Sequence, residues 1–514
     1  MFILSILVLG IDGLGPEGLR SLRRLGLLSS LKFLSDRGVF ARAKTCFPPQ
    51  TIPAWISIFT GVNPGKHGVF SFFKTTPRGI YINNALDIKY PPIYELFSIM
   101  RRPCVLVNVP LSYPFPILYG VGIADWLSPH RNYVIRFRKR KKISDILSEY
   151  SFIDPKLKRH LDDRNVCEGV GLKIDRNSWV IESLLEMEEF ENYFIVISEL
   201  DWIFHRYYHL IRIGKQPSHI TRLIAKIDRQ ISRIIDKALK RGLQVFVISD
   251  HGFSVYRRIV FVNEILRRMG FARGVSIRLL SSSLRRKVGI KSIRHTYRLP
   301  IRYSILNNMW SILLGLKLSV PFGARIYRHI IRGKYRLLVD KDKSMAYCLM
   351  NIPAFYIMVN KHIVANPPQL AEILIKRLQR LHDTEGSKIF SIVAAREKLY
   401  RGPYVNHAPH IGIFGNVNAH YITSAILTGC IMIKKLVNYH DFYGIFIAYG
   451  DGIPHIHPKS VSIYDLVPTM LATEGLPIPI DTDGRDILSR PATRKNYLGL
   501  WKITRRLGRI RRAK

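Results

Sequence analysis

A carboxylate and an imidazole stand four residues apart, Asp201 and His205, in Glu199-Leu200-Asp201-Trp202-Ile203-Phe204-His205. If that segment is helical, the two side chains share one face. Asp250 and His251 are adjacent and precede Gly252, and Asp12 precedes Gly13 at the end of an apolar run. A further imidazole, His440, lies in Asn438-Tyr439-His440-Asp441. Mixed Asp and His sets suit zinc or a similar first-row ion, not calcium or magnesium. Singly, each is more often surface polarity or a core histidine. Their shared position at strand ends, in this order, gives them weight.

Thr51 lies in Pro48-Pro49-Gln50-Thr51-Ile52-Pro53-Ala54-Trp55, followed by Thr60-Gly61 and Pro64-Gly65-Lys66-His67-Gly68. A Thr two residues before a Pro, at the head of helix-compatible sequence, reads as an N-cap. An isolated Thr-x-Pro is usually that and nothing more. A helix N-terminus also stabilises an alkoxide and an incoming phosphate, so the position suits a nucleophile where a metal lies nearby.

Such residues need a scaffold. Short apolar runs at 3–11, 104–109, 193–197, 245–249 and 444–448 read as buried strands ending in polar residues. Between them the stretch 220–241 repeats Leu223, Ile224, Ile227, Ile231, Ile234 and Ile235 at helical spacing. Continuous apolar strands alternating with amphipathic helices predict an α/β fold, a mostly parallel sheet covered on both faces. In such sheets the chemistry sits beyond the carboxyl ends of the strands, where Asp12, Asp201, Asp250 and His251 fall, with His440 just ahead of the last run.

At this point the chain resembles the alkaline phosphatase superfamily, and within it the type I phosphodiesterase/nucleotide pyrophosphatase group, closest to its archaeal-type predicted phosphohydrolases. Thr51-Ile52-Pro53-Ala54-Trp55 through His67-Gly68 is similar to the family's nucleophile segment, and Asn108-Val109-Pro110-Leu111-Ser112-Tyr113-Pro114 to a recurring stretch. The segment from Ser462 to Leu471, then Gly475-Leu476-Pro477 and Asp483-Gly484-Arg485, resembles its closing segment. The match runs in order from Asp12 to about Leu488. It implies an alkaline-phosphatase-like three-layer sandwich with a mostly parallel central sheet.

The resemblance also implies two divalent metal ions, zinc first and manganese as the alternative. Asp12, Thr51, Asp250 and His251 would hold one, and Asp201, His205 and His440 the other. It implies phosphodiesterase or nucleotide pyrophosphatase chemistry on a phosphorylated substrate, with Thr51 as nucleophile, a phosphothreonine intermediate and net retention at phosphorus. A phosphomonoesterase, phosphomutase or phosphoglycan transferase would keep the fold and change the reaction. A non-catalytic polyanion-binding protein would keep the fold alone. Asp441-Phe442-Tyr443 departs from the family pattern and leaves His455 and His457 as rivals to His440. His410 stands where relatives commonly have Asp, and His209 reads as structural or substrate-facing.

The charge balance is the remaining signal. Lys and Arg number 79 against 37 Asp and Glu, a net charge of +42, within a globular composition of 47% hydrophobic and 23% charged residues. Such a surplus draws polyanions and says nothing of fold. Residues 265–339 hold 17 Lys or Arg and no acid, and 494–514 hold nine and none. The expected organisation is a core over 1–264, an inserted basic and mainly helical cap over 265–340, the rest of the core over 341–490 and a basic tail over 491–514. Cap and tail suit an anionic membrane or nucleic acid. Five scattered Cys, no signal peptide and no apolar run near 20 residues predict a cytoplasmic protein, at most peripheral at a membrane.

Overall fold

The computed structural model describes residues 5–76, 79–128, 132–276, 336–348, 354–424, 426–427 and 430–513. Two compact units divide the chain: residues 1–253, 400–405 and 440–514 form one, and 254–399 with 406–439 form the other.

The first unit is built on nine strands: β1 (Ile6–Ile11), β2 (Val39–Lys44), β3 (Cys104–Val107), β4 (Gly120–Ile123), β5 (Tyr133–Arg136), β6 (Asn192–Ile197), β7 (Gln244–Ile248), β8 (Tyr443–Tyr449) and β9 (Ser460–Ser462). Their order across the sheet is β9-β2-β8-β7-β1-β6-β3-β4-β5. β1 pairs in parallel with both β6 and β7, and β3 in parallel with β6 and β4. Only β8 and β5 run against the others. The expected mostly parallel α/β sheet is therefore present, with β1 at its centre and every β1 residue buried.

Seven helices matter here: α1 (Thr51–Thr60), α2 (Ile93–Ile99), α3 (Arg164–Leu185), α4 (Glu199–Ile211), α5 (Ser218–Lys240), α6 (Leu466–Thr473) and α7 (Leu498–Ala513). Strand residues alternate between faces. Ile6 and Val8 of β1 join Phe194, Val196, Phe246 and Ile248 in one core with Ala54, Trp55, Ile58 and Phe59 of α1 and Leu466, Val467, Met470 and Leu471 of α6. Gly10 leaves room for the Trp55 indole, which a β-carbon there would meet at 2.3 Å. α5 buries the predicted stripe, Leu223, Ile224, Ile227, Ile231, Ile234 and Ile235.

α7 spans residues 498–513 of the basic stretch, and its Trp501 and Arg505 are buried. The Trp501 Nε1–H donates to Glu95 of α2, and Arg505 pairs with the same carboxylate and donates to the carbonyls of Ala85 and Ile88. That part of the stretch is an internal anchor. No helix among the described residues is long and apolar enough to cross a membrane.

The second unit has its own core, with Ile357, Ile411 and Ile413 of a four-stranded sheet packed with Leu374 and Leu378 of the helix Pro367–Gln379. The basic segment 265–339 lies within this unit's span. Strands Gly274–Ser276 and Arg336–Val339 pair antiparallel, Gly274 opposite Val339, so the two ends of the segment lie side by side. Of the mainly helical cap expected over 265–340, residues 277–335 lie outside the described residues.

Candidate active site

β1, β6 and β7 end together at one edge of the sheet, and their connections supply the polar residues. Asp12 follows β1 and extends its ladder, its N–H donating to the Ile197 carbonyl at 2.9 Å. The chain then turns at Gly13, whose φ of 77° is the left-handed region that favours glycine. The Gly13 N–H donates to Asp250 Oδ1 at 3.1 Å, tying the end of β1 to the end of β7. After β6 the chain enters α4, which confirms the helical reading of the Asp201/His205 spacing. His440 lies near the end of the strand Met432–Asp441, just ahead of β8.

Thr51 occupies the first turn of α1 as its first helical residue. Gln50, with extended backbone (φ −136°, ψ 136°), takes the cap position expected of Thr51. The Gln50 side chain makes no capping bond, and the Thr51 hydroxyl turns to His251, with Oγ1 3.5 Å from Nε2.

All seven residues singled out from the sequence meet in this one place. His251 Nε2 lies 3.2 Å from Asp250 Oδ2 and 3.7 Å from Asp12 Oδ1. Asp201 Oδ1 lies 3.2 Å from His440 Nε2 and 3.4 Å from His205 Nε2, and the two Nε2 atoms are 3.1 Å apart. The His251 and His440 rings stack with centroids 3.5 Å apart, which joins the two groups. Asp201, His205 and His440 form one set of convergent ligand atoms, and Asp12, Asp201 and His251 another. His455 and His457 are exposed and face each other, Nε2 to Nε2 at 2.9 Å, so geometry favours His440.

Two imidazoles are oriented by backbone carbonyls. The carbonyl of Pro49 lies 3.0 Å from His440 Nδ1 and that of Gly252 3.3 Å from His251 Nδ1. A carbonyl only accepts, so both Nδ1 atoms carry the proton and both Nε2 lone pairs face the carboxylates. Burial holds His205 and His440 down to about 3 and His251 well below its usual value, so all three are neutral donors of a lone pair.

The carboxylates are the other half of the argument. Burial raises Asp12 well above 3.8, with the charges of Asp250 and Asp201 adding to it, and burial likewise raises Asp250. Asp12 Oδ1, Asp201 Oδ1 and Asp250 Oδ2 are buried and accept no hydrogen bond. Three carboxylates gathered out of water beside neutral imidazoles fit divalent cations, which supply the missing positive charge.

Several contributors were not evident in the sequence. The Phe253 ring packs edge-on against His205 and His440, centroids 5.0 and 5.1 Å away, and walls the site with hydrocarbon. Its position directly after Asp250-His251-Gly252 was the available signal. Lys158, in the turn Pro155–His160, stands in electrostatic reach of Asp201 and Asp12, while burial pulls its ammonium down. Asn108, at φ 53°, bonds Val196 O and Ser198 Oγ and accepts from Trp126 N–H, clamping the ends of β3 and β6. His67 is structural: its Nδ1 accepts from Val69 N–H, and its Nε2–H therefore donates to Ser57 of α1. Asp483 accepts from the Asn63 N–H and side chain and pairs with Lys66, so the two most family-like segments are fastened together. His209 sits one turn beyond His205, half-buried, and His410 belongs to the second unit, where its Nδ1 accepts from Val359 N–H.

Comparison with known proteins gives the family and the fold. The family model of the type I phosphodiesterase/nucleotide pyrophosphatases matches residues 6–304, and the chain belongs to that family. Its class is that of phosphoester hydrolases. Phosphonoacetate hydrolase from Sinorhizobium meliloti 1021 is similar in structure, at 13% identity and a TM-score of 0.51, over 90% of this chain and 94% of that one. Murine ectonucleotide pyrophosphatase/phosphodiesterase 5 matches at 11% identity and a TM-score of 0.52, over 97% and 99%. An inactive threonine-to-alanine variant of the murine protein in complex with AMP matches at 11% identity and 0.52, over 93% and 97%. These likenesses establish the alkaline-phosphatase-like fold. Among curated proteins no sequence matches significantly.

Proposed function

We propose that the chain is a two-metal phosphodiesterase or nucleotide pyrophosphatase that works through a covalent intermediate on Thr51. The observation that carries this reading is the set of buried, unbonded carboxylate oxygens facing imidazole lone pairs beside the Thr51 hydroxyl. Asp12, Thr51, Asp250 and His251 would hold one ion and Asp201, His205 and His440 the other, with zinc the first choice for this donor set and manganese the second. When bound, such ions supply Lewis-acid stabilisation of phosphoryl charge and make the hydroxyl a better nucleophile.

The chain's own residues do the rest. Thr51 Oγ1 attacks phosphorus, forming a phosphothreonine ester as the leaving alkoxide departs, and water then hydrolyses that ester with release of the phosphate product. Two in-line displacements give net retention. The N–H groups of the first turn of α1 lack intrahelical acceptors and offer donors to a phosphoryl oxygen, Pro53 contributing none. Phe253 keeps bulk water off the imidazoles. The inactive threonine-to-alanine variant of a structural relative, seen with AMP, supports a threonine nucleophile and a nucleotide-like ester.

Hydrolysis of bis-p-nitrophenyl phosphate and p-nitrophenyl phosphate with Zn²⁺ or Mn²⁺, against EDTA and Thr51→Ala, tests the reading. Metal-dependent turnover of the diester, lost in the variant, is expected. Preference for the monoester would turn the assignment to a phosphomonoesterase, and EDTA-insensitive turnover would remove the metals from the account.

A further inference from the structure

Fastening α7 through Trp501 and Arg505 leaves another of its faces uncovered. Leu500, Ile503 and Leu507 are 50%, 60% and 55% exposed, and at helical spacing they form a single stripe bordered by Lys502 and Arg506. Beside that stripe lies a cleft of about 590 Å³, whose lining includes Ile117, Leu118, Phe137 and Leu507 together with Arg101 and Arg138. The chain leaving the cleft reads Arg136-Phe137-Arg138-Lys139-Arg140-Lys141-Lys142 and is exposed from Arg138 onward. Lys139 pairs with Glu189.

We propose that this face, α7 with residues 136–142 and the cleft between them, docks on an anionic lipid surface. An exposed apolar stripe edged by cations is the pattern of a helix lying in a membrane interface, its hydrocarbon inserted and its charges at the headgroups. Each Lys or Arg near such a surface adds about 1 kcal/mol, and the stretch 494–514 contains no acid to oppose it. A nucleic acid would match the charge but not the stripe. Nucleic acid is held chiefly through its phosphates, which would leave Leu500, Ile503 and Leu507 in water. This inference is independent of the catalytic reading.

Flotation of the full chain with phosphatidylcholine vesicles, with and without phosphatidylglycerol, is the test. Binding is expected only to the anionic vesicles. The triple variant Arg138→Glu, Arg140→Glu, Lys141→Glu should weaken it by about a hundredfold or more, the charge term alone giving that for three residues. The variant Leu500→Ser, Ile503→Ser, Leu507→Ser should abolish it, with the circular dichroism spectrum of both variants unchanged. Undiminished binding in both variants would overturn the proposal by placing the contact elsewhere. So would equal binding to neutral vesicles, or no binding to the anionic vesicles, in which case a gel shift of nucleic acid or self-association lost in the leucine variant would name the occupant instead.

Discussion

His440 Nδ1 lies 3.0 Å from the carbonyl oxygen of Pro49, two residues before Thr51. The backbone that leads into the helix headed by Thr51 therefore also sets the tautomer and aim of an imidazole from the far end of the chain. His251 is held the same way by Gly252 and contacts the Thr51 hydroxyl, so Thr51 and two of the convergent imidazoles are positioned by one short network.

That network separates His440 from its sequence rivals. His440→Ala should cost one of two bound metals, read by elemental analysis of the purified protein, and should abolish ester turnover. The double variant His455→Ala, His457→Ala should keep both metals and its activity, since those imidazoles are exposed and face each other.

Gly13 is tested by Gly13→Ala. A methyl group there must adopt φ 77° and would meet the Phe253 ring at 2.7 Å. A cost of about 1–2 kcal/mol is expected from the left-handed conformation alone. Because Gly13 N–H also bonds Asp250, turnover should fall further than chemical denaturation indicates.

Acid stability should depend on His67. Burial holds its imidazole down to about 3, whereas the unfolded chain binds that proton near 6.5. Between those values the unfolded state carries more protons, so stability falls as pH falls, by about 1.4 kcal/mol per pH unit for this group. His67→Asn should lower stability near neutral pH and flatten that slope by one proton in denaturant titrations across the window.

The anchor of α7 rests on a buried ion pair. Glu95→Ala leaves Arg505 buried without that carboxylate and removes the acceptor of Trp501. Breaking such a pair costs about 3 kcal/mol. The loss should appear as a lower urea midpoint, with ester turnover retained below the transition.

Much of the site was legible because its residues end continuous apolar runs or share a helix face. Asp12, Asp250 and His251 follow β1 and β7, and Asp201 and His205 fall one turn apart on α4. His440 was legible through family resemblance alone, since nothing local separates it from His455 and His457. The Thr51 cap reading failed by one position because Gln50 takes the extended conformation. Glu95 with Arg505, and His67 with Ser57, were invisible for a physical reason: pairs formed by tertiary packing leave no period in the sequence.

The most direct measurement of the central claim is mass analysis of peptides after acid quench during turnover of bis-p-nitrophenyl phosphate. The account predicts a nitrophenylphosphoryl group on the peptide containing Thr51, absent after EDTA treatment and absent in Thr51→Ala. Steady turnover with Thr51 unmodified, and persisting in Thr51→Ala, would contradict it.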